Sequence, residues 1–476
     1  MRTFIVFSAL GLSLFGQGPA TPPAPSTASA TLPQQTGLVQ SSSQQFQGSV
    51  PTGEASSTPI ALSLQDSIDR GLKTNLGLLV RNTGTAIAQA ERRRALSHLL
   101  PNVQGSISGT EQQIDLASFG FHFPGVPSVI GPFGYNDARA SMSQTAFDWT
   151  AWKNKRSADQ NLKAAQLSVQ DARDLVVQAV ASAYLQIIAD AARVEATKAQ
   201  VQTAQALYER ARDQHVAGVS PAIDELRAEV ELKTQQQALL AQQNQFDHDK
   251  LVLGRAIGLP IGQDFALSET IPFRALEGIA PGDALHHALE TRSDYLSAQM
   301  QVRAAEMARD AARAQRYPTL GLDANYGDTG SSFANSHGTF EVTGSLKFNI
   351  WDSGKIRSDV EQADASIQQR KNEMADLSGQ IDFQIRAALL DLKTASDQVA
   401  VARDNLILAN QTLTQARDRF TAGVADNIEV VQAQESVANA NQSVISSIYS
   451  HNQAKVSLAR AMGATETNLK QYMGGK

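Results

Sequence analysis

The feature that most constrains the fold is an internal duplication of the chain. The sequence matches itself over three pairs of gap-free segments: 62–103 with 279–320, 211–219 with 416–424, and 253–258 with 458–463. The first pair keeps one offset and places Asp66 opposite Asp283 and Ala88 opposite Ala305. A repeat of roughly 210 residues is far longer than the unit of a solenoid protein. We therefore predict one structural unit that occurs twice, at 61–278 and 279–466, followed by a C-terminal tail at 467–476.

Each repeat is predicted to contain a helix, a β-hairpin and two long helices. The long helices are expected at 152–217, 220–257, 355–422 and 425–462, because these segments hold almost no glycine or proline. Strands are expected where apolar and polar residues alternate, at about 102–110, 137–149, 319–326 and 340–351. At 1.5 Å per residue, the longer helix of each repeat would extend about 100 Å.

The long helix at 355–422 carries an apolar stripe whose spacing alternates between three and four residues. Its members are Ile385, Ala388, Leu392, Ala395, Val399, Ala402, Leu406, Ala409, Leu413, Ala416 and Phe420. The helix at 152–217 shows a weaker stripe with Lys198 and Gln205 as polar interruptions: Val180, Tyr184, Ile187, Ala191, Val194, Val201 and Tyr208. Heptad stripes rich in alanine indicate closely packed helices, and an ordinary coiled-coil scaffold would show the same pattern.

The amino terminus is predicted to direct export. Residues 1–20 contain Arg2, an apolar run at 4–15 and then small residues, which is the form of a secretory signal peptide. The segment 21–60, rich in proline, serine and glutamine, is predicted to be a disordered linker. Past the signal peptide, no segment reaches the roughly 18 continuous apolar residues of a transmembrane helix, so insertion into a membrane would require a β-barrel.

The predicted strands of the second repeat suit a membrane, because each has one apolar and one polar face. The strands of the first repeat alternate less clearly, and the segment 137–147 loses its phase around Gln144. Soluble, half-buried strands alternate in the same way. Trp149, Trp152 and Trp351 lie just after the hairpins and resemble the aromatic girdle of a membrane interface; buried core tryptophans are the other interpretation. Four strands cannot close a barrel, since the smallest bacterial barrels have about eight, so a barrel would require several copies of the chain.

Other function classes find little support in the composition. The chain has no cysteine, a formal net charge of −6 and no basic block, which argues against thiolate chemistry and nucleic acid as a partner. His286 and His287 lack a third ligand with metal-site spacing. No nucleophile elbow, phosphate loop or paired-carboxylate motif is present. We therefore predict no enzyme activity, no cofactor and no metal site.

Taken together, the signal peptide, two strand pairs, two long helical hairpins and the duplication resemble the TolC-like outer-membrane efflux family. Local matches are the strand entries Leu99-Leu100-Pro101 and Arg316-Tyr317-Pro318, and the strand exits Phe147-Asp148-Trp149 and Ile350-Trp351-Asp352. The resemblance implies a mostly α-helical homotrimer whose four strands per chain form one 12-stranded transmembrane β-barrel, continued by an α-barrel through the periplasm. It also implies contact with outer-membrane lipid, a periplasmic adaptor protein and, through the adaptor, an inner-membrane transporter.

The same resemblance assigns roles to the turns between the long helices. The adaptor-contacting tips would be Gly218-Val219-Ser220 and Gly423-Val424-Ala425. Asp224 and Glu429 would lie near the periplasmic entrance, while Gln432 stands where the family has a second acid and Ala425 where it has an arginine. The implied function is passive conduction in a tripartite efflux or type I secretion system. An exported coiled-coil structural or adhesion protein without channel activity is the alternative.

Overall fold

The computed structural model describes residues 46, 48–122, 124–269, 273–276, 279–422, 424–425, 427–463 and 465–473. The helices are α1 Leu64–Thr74, α2 Leu76–Ser97, α3 Trp149–Val216, α4 Ala222–Ala256, α5 Pro281–Thr291, α6 Ser293–Ala314, α7 Lys355–Thr421, α8 Asn427–Ala461 and α9 Thr465–Met473. The strands are β1 Ile60–Leu62, β2 Asn102–Asp115, β3 Val129–Phe147, β4 Phe265–Leu267, β5 Thr319–Gly330 and β6 Ser336–Lys347. The order α1, α2, β2, β3, α3, α4 recurs as α5, α6, β5, β6, α7, α8, as the duplication predicts.

Strands β2, β3, β5 and β6 form one antiparallel sheet in that order, with two chemically different faces. One face carries apolar cross-strand rows, such as Val103, Met142, Ala324 and Val342, and next to it Gly105, Ala140, Tyr326 and Phe340. The other face carries polar rows, such as Asn102, Ser143, Asp323 and Thr343, and then Gln104, Ser141, Asn325 and Glu341. The predicted alternation is thus realised as a sheet with one apolar and one polar side.

The strands extend further toward the loops than the alternation indicates. Strands β2 and β5 end at Asp115 and Gly330 instead of about 110 and 326, and β3 and β6 begin at Val129 and Ser336 instead of about 137 and 340. Backbone ladder bonds need no apolar side chain, so pairing continues past the alternating part. A bulge between Thr145 and Phe147 brings Phe147 opposite Leu320, which accounts for the lost phase of the β3 sequence.

The helices form a layer of two levels below the sheet. Helices α3 and α7 contain 68 and 67 residues and run through both levels, about 100 Å at 1.5 Å per residue. The level next to the sheet packs in the order α2, α3, α6, α7, and the level toward the hairpin tips packs in the order α4, α3, α8, α7. Helices α2, α4 and α7 therefore form the edges of the layer.

The heptad seam of α7 is confirmed, because its residues are buried except for the half-buried Leu406 and Phe420. In α3 the predicted seam is buried as far as Val194 except for the half-buried Ala191, and beyond Val194 it is wrong. Thr197, Ala204 and Ala211 are buried there, whereas Val201 and Tyr208 are only half-buried. Small side chains let the backbones approach closely, and Lys198 then lies on the exposed side of the helix and does not interrupt the seam.

The main hydrophobic core surrounds the middle of α3. The hydroxyl of buried Tyr184 donates to the carbonyl of Leu62 at 3.0 Å, where β1 pairs in parallel with β4. Phe46 is buried in the same core, and the Val50 N–H donates to the Thr74 carbonyl at 2.9 Å. The predicted linker 21–60 is therefore ordered at residue 46 and over 48–60, because backbone pairing and one aromatic anchor fix it to the core. The rest of the linker and the signal peptide lie outside the described residues.

The C-terminal tail predicted at 467–476 is helical as far as Met473, in α9. Arg173 of α3 holds this helix with two hydrogen bonds to the carboxylate of Glu466, at 2.7 and 3.0 Å. Leu469 is buried in the main core. A buried leucine and a bidentate ion pair give the segment tertiary contacts that its composition alone does not reveal.

Four charged side chains meet where α3, α6 and α8 converge. Arg460 lies 2.5 Å from Asp171 and 3.8 Å from Asp294, and Arg292, which is 2% exposed, binds Asp294 at 2.6 Å. Burial raises the pKa of Asp171, whereas Arg292 and Arg460 hold the pKa of Asp294 below its usual value despite its burial. These ion pairs connect the first repeat to the second.

One helix among the described residues, Trp149–Val216, contains an 18-residue window that is long and apolar enough to cross a membrane. Half of that window is buried, and its residues Val176, Val180 and Tyr184 belong to the main core. Helix packing accounts for this hydropathy.

Candidate entrance and membrane interface

The first hairpin tip is a tight turn between α3 and α4. Gly218 has φ +72°, a left-handed conformation that glycine adopts without a steric penalty. The N–H groups of Gly218 and Val219 donate to the carbonyls of His215 and Gln214, both at 2.9 Å, and that of Ser220 donates to Gln214 at 3.3 Å. The turn is thus fixed by its own backbone, and it presents the exposed Val219 at the end of the molecule.

The second tip repeats this geometry over the residues that the structure describes. The Val424 N–H donates to the Arg419 carbonyl at 3.1 Å, which is the counterpart of the bond from Val219 to Gln214. Val424 is exposed and Ala425 is half-buried. Gly423 lies outside the described residues.

The two predicted entrance acids each lie beside an arginine. Asp224 in the first turn of α4 is 3.6 Å from Arg227, and Glu429 in the first turn of α8 is 3.3 Å from Arg419 across the tip. All four side chains keep contact with solvent. Sequence reasoning missed Arg419, whose partner lies on another helix.

A second contact at the tips differs between the repeats. The His215 ring nitrogen Nδ1 lies 2.5 Å from the carboxylate of Glu225 at the first tip. The equivalent residues of the second tip are Phe420 and Val430, which pack together in an apolar cluster. Both members change together between the repeats, and this paired change is the sequence signal that could have revealed the contact.

Gln432 lines an open groove between α4 and α8 near the tips. The groove has a volume of about 390 Å³, and its apolar lining includes Ile223, Leu226, Val230 and Val431. Leu226 is 56% exposed. Exposed apolar side chains in a groove are typical of a protein-binding surface.

The three tryptophans lie at the end of the sheet that adjoins the helices. Trp149 is the first residue of α3, not the last of a strand, and its ring stacks on Trp152 with a centroid distance of 4.7 Å. Trp351 follows β6 and is 86% exposed. None of the three belongs to a core cluster of the described residues, which favours the interface interpretation over buried tryptophans.

The polar face of the sheet carries a hydrogen-bond network across three strands. Arg139 of β3 donates to Asp137 at 3.2 Å and to Asn325 of β5 at 2.6 Å. The Asn325 amide then donates to Glu341 of β6 at 3.3 Å. From the helices as far as the Arg139 row, the charged groups of the sheet lie on this polar side, as expected for a sheet with lipid on one side and water on the other. Nearer the loops, Glu111 and Asp328 lie on the apolar side. Among the described residues, no group of three or more histidine, aspartate or glutamate side chains could hold a metal ion.

Comparisons with known proteins agree with this geometry. The toluene efflux pump outer membrane protein TtgC of Pseudomonas putida is 26% identical over 422 residues, which are 84% of this chain and 83% of that protein. A membrane protein from Pseudomonas aeruginosa has the same fold with a TM-score of 0.75 at 19% identity, over 89% of this chain and 99% of that one. The outer membrane protein VceC of Vibrio cholerae gives a TM-score of 0.73 at 19% identity, over 84% and 96% of the two chains.

The model of the family described as outer membrane efflux protein matches residues 69–259 and 284–464, one segment in each repeat. This match favours the channel over the exported coiled-coil scaffold that the sequence analysis left open. Because the two segments cover most of both repeats, the chain belongs to the outer membrane efflux protein family and is a channel protein of the outer membrane.

Proposed function

We propose that three copies of this chain form one duct through the outer membrane. The observation that carries the proposal is the open, two-faced sheet, whose edge strands β2 and β6 have no outer partner among the described residues. A membrane tolerates no open sheet edge, because unpaired backbone groups are costly in hydrocarbon. Pairing β6 of one protomer with β2 of the next would give a 12-stranded barrel with the apolar face toward lipid.

The helical layer would close in the same way. Its edges are α7 on one side and α2 with α4 on the other. Exposed apolar residues lie along these edges, among them Phe383, Leu390 and Leu408 on α7 and Ile87 on α2. Three layers joined edge to edge would form an α-barrel in the periplasm that continues the lumen of the sheet.

The duct would take its substrates from a pump in the inner membrane through a periplasmic adaptor protein. TtgC is named as the outer membrane protein of a toluene efflux pump, so a comparable partnership is expected here. The hairpin tips, with the exposed Val219 and Val424 and the groove beside Leu226, offer the adaptor an apolar surface far from the sheet.

The duct proposal is tested by the native mass of the detergent-extracted protein and by its conductance in planar bilayers. We expect an outer-membrane species of three chains that conducts ions without an energy source. A monomeric or dimeric species, or trimers that carry no current, would contradict the duct.

Replacing Leu226 by glutamate is expected to weaken adaptor binding about tenfold or more, because truncating or charging a central apolar contact typically costs at least about 1.4–2 kcal/mol. The measurement is the affinity of the purified trimer for the adaptor encoded with its pump. Leu240→Glu is the matched control, since Leu240 is exposed on the same helix but outside the groove. Equal effects of the two changes would place the adaptor elsewhere.

Replacing Glu429 by alanine is expected to lower the preference for cations of the reconstituted channel by about twofold or more. In a trimer the Glu429 side chains would form a ring of three carboxylates, which attracts cations and repels anions at a constriction. The measurement is the reversal potential in a KCl gradient. Arg419→Gln removes the opposite charge of the same ion pair and should shift selectivity in the other direction. Unchanged selectivity in both variants would place the pair away from the pore.

A further inference from the structure

The two repeats can be aligned residue by residue where the helices meet the sheet. The offsets of 217 before the hairpin and 205 after it place Arg92 opposite Arg309 and Asp159 opposite Asp364. Both pairs form the equivalent ion pair, Arg92 with Asp159 at 2.7 Å and Arg309 with Asp364 at 3.7 Å. The two regions therefore have the same architecture, and differences between them reflect the side chains.

Two carboxylates of the second repeat are replaced by arginines in the first. Arg93 stands at the position of Asp310, and Arg156 stands at the position of Glu361. In the second repeat both acids neutralise cations: Asp310 contacts Lys153 and Arg309 at 2.9 and 3.1 Å, and Glu361 contacts Arg357 at 2.9 Å.

In the first repeat these ion pairs are missing. Trp152 occupies the position of Arg357, and the Arg156 guanidinium lies 3.8 Å from the centre of its ring. Arg93, Arg94 and Arg156 are exposed, and their side chains form no ion pair or hydrogen bond with the residues that the structure describes. The first repeat thus has an excess of positive charge at this level.

The three arginines lie at one level of the molecule, where the last turns of α2 adjoin α3, and Arg156 lies next to the stacked tryptophans. Residues 152, 156 and 159 are spaced by four and three positions, so they share one face of α3. Asp159 on that face binds Arg92 of α2, which places the face beside the last turns of α2, where Arg93 and Arg94 lie. Trp149 stacks on Trp152 one turn nearer the sheet.

We propose that this surface, defined by Arg93, Arg94, Arg156, Trp149 and Trp152, binds the headgroup of an anionic phospholipid in the leaflet that faces the helices. The inference rests on the proposed position of the sheet in the membrane. Guanidinium groups form charge-assisted, often bidentate hydrogen bonds with phosphate oxygens, and tryptophan favours the headgroup level of a bilayer. A cation near an anionic membrane surface contributes about a fivefold gain in binding.

A neighbouring protomer is the other candidate partner, because α2 is an edge helix. If α7 of that protomer packs on α2 as α3 packs on α6, the contact between Lys153 and Asp310 has Ser358 and Arg93 as its counterpart. A serine does not neutralise an arginine. The repeat geometry therefore favours a lipid phosphate over the second chain.

The test is native mass spectrometry of the full-length protein equilibrated with equal amounts of phosphatidylglycerol and phosphatidylcholine. We expect the wild-type protein to retain phosphatidylglycerol preferentially. The combined variant Arg93→Gln, Arg94→Gln, Arg156→Gln should lose about tenfold or more of that preference. The matched control is Arg313→Gln, Lys355→Gln, Arg357→Gln, which removes the same charge at the same level of the second repeat and should change the preference less than about twofold.

An unchanged preference in the first-repeat variant would overturn the lipid site. Trimers of that variant that dissociate in lipid-free detergent, with the lipid preference intact, would assign the arginines to the contact between protomers instead. Conductance in bilayers of phosphatidylcholine alone is measured on the same samples. Wild-type protein that forms no trimers or carries no current would refute the proposed duct. The lipid proposal is refuted only if the first-repeat variant keeps its preference for phosphatidylglycerol.

Discussion

Replacing Val342 by arginine is expected to prevent stable insertion of the protein into the outer membrane. Val342 lies in the apolar cross-strand row that also contains Met142 and Ala324, two rows from Leu346 at the helix end of the sheet. An arginine near the middle of the lipid-facing band of a β-barrel costs about 2–4 kcal/mol per chain. A trimer would contain this change three times.

The adjacent residue offers a control with the same added charge. Thr343 lies on the polar face opposite Asp323, and its hydroxyl is 3.2 Å from the Glu341 carboxylate. An arginine at position 343 would therefore meet water and two acids, so Thr343→Arg should insert normally. The measurement is membrane fractionation together with the yield of extracted trimer. Equal yields of the two variants would show that the apolar face does not contact lipid.

This pair of residues also shows how much of the sheet could be predicted. A strand side chain alternates strictly between faces, so the faces of Val342 and Thr343 follow from the sequence of β6 alone. The bulge beside Phe147 could not be placed in that way, because it depends on the register of two strands that are far apart in the chain. The strand ends were underestimated for a related reason, since backbone pairing continues where side-chain patterning stops.

The packing of the helices could likewise be predicted only in part from the sequence. The seam of α7 was predicted because large and small apolar residues alternate at regular spacing. In α3 the apolar stripe past Val194 predicted that Val201 and Tyr208 are buried, but the smaller residues Thr197 and Ala204 are the ones buried against the neighbouring helices. The ion pair of Glu429 with Arg419, and the contact of Glu225 with His215, join residues ten positions apart on two helices of a hairpin. Such pairs can be predicted only when the geometry of the turn is known, and the glycine and valine of each tip do not determine that geometry in detail.

Replacing Arg460 by alanine is expected to destabilise the helical part by about 3 kcal/mol per chain, the lower end of the effect of removing one partner of a buried ion pair, because these side chains are only partly buried. Arg460 is the counter-charge for half-buried carboxylates on two other helices, Asp171 at 2.5 Å and Asp294 at 3.8 Å. Burial raises the pKa of Asp174, one turn from Asp171, to about 6, and Arg460 opposes that rise. Without Arg460, the half-buried Asp171 and Asp294 and the buried Asp174 would lose a neighbouring positive charge that stabilises their ionised forms.

The sign of the pH dependence follows from the raised pKa values. A carboxyl whose pKa is higher in the folded protein than in the unfolded chain destabilises the fold once it is ionised. That loss of stability develops as the pH rises from about 4 through the folded-state pKa. The effect of Arg460→Ala should therefore be larger at pH 8 than at pH 5. Adding Asp171→Asn should recover part of the loss, because it removes a carboxylate that Arg460 otherwise neutralises.

The duplication supplies the control for this prediction. Arg255 occupies the position of Arg460 in the first repeat, but it is exposed and forms no side-chain ion pair with the described residues. Its partner position differs too, since Gly77 stands where the second repeat has Asp294. Arg255→Ala should thus change stability by no more than about 0.5 kcal/mol. The measurement is the midpoint of thermal unfolding by circular dichroism, and equal shifts for the two alanine variants would show that the buried charges do not hold the repeats together.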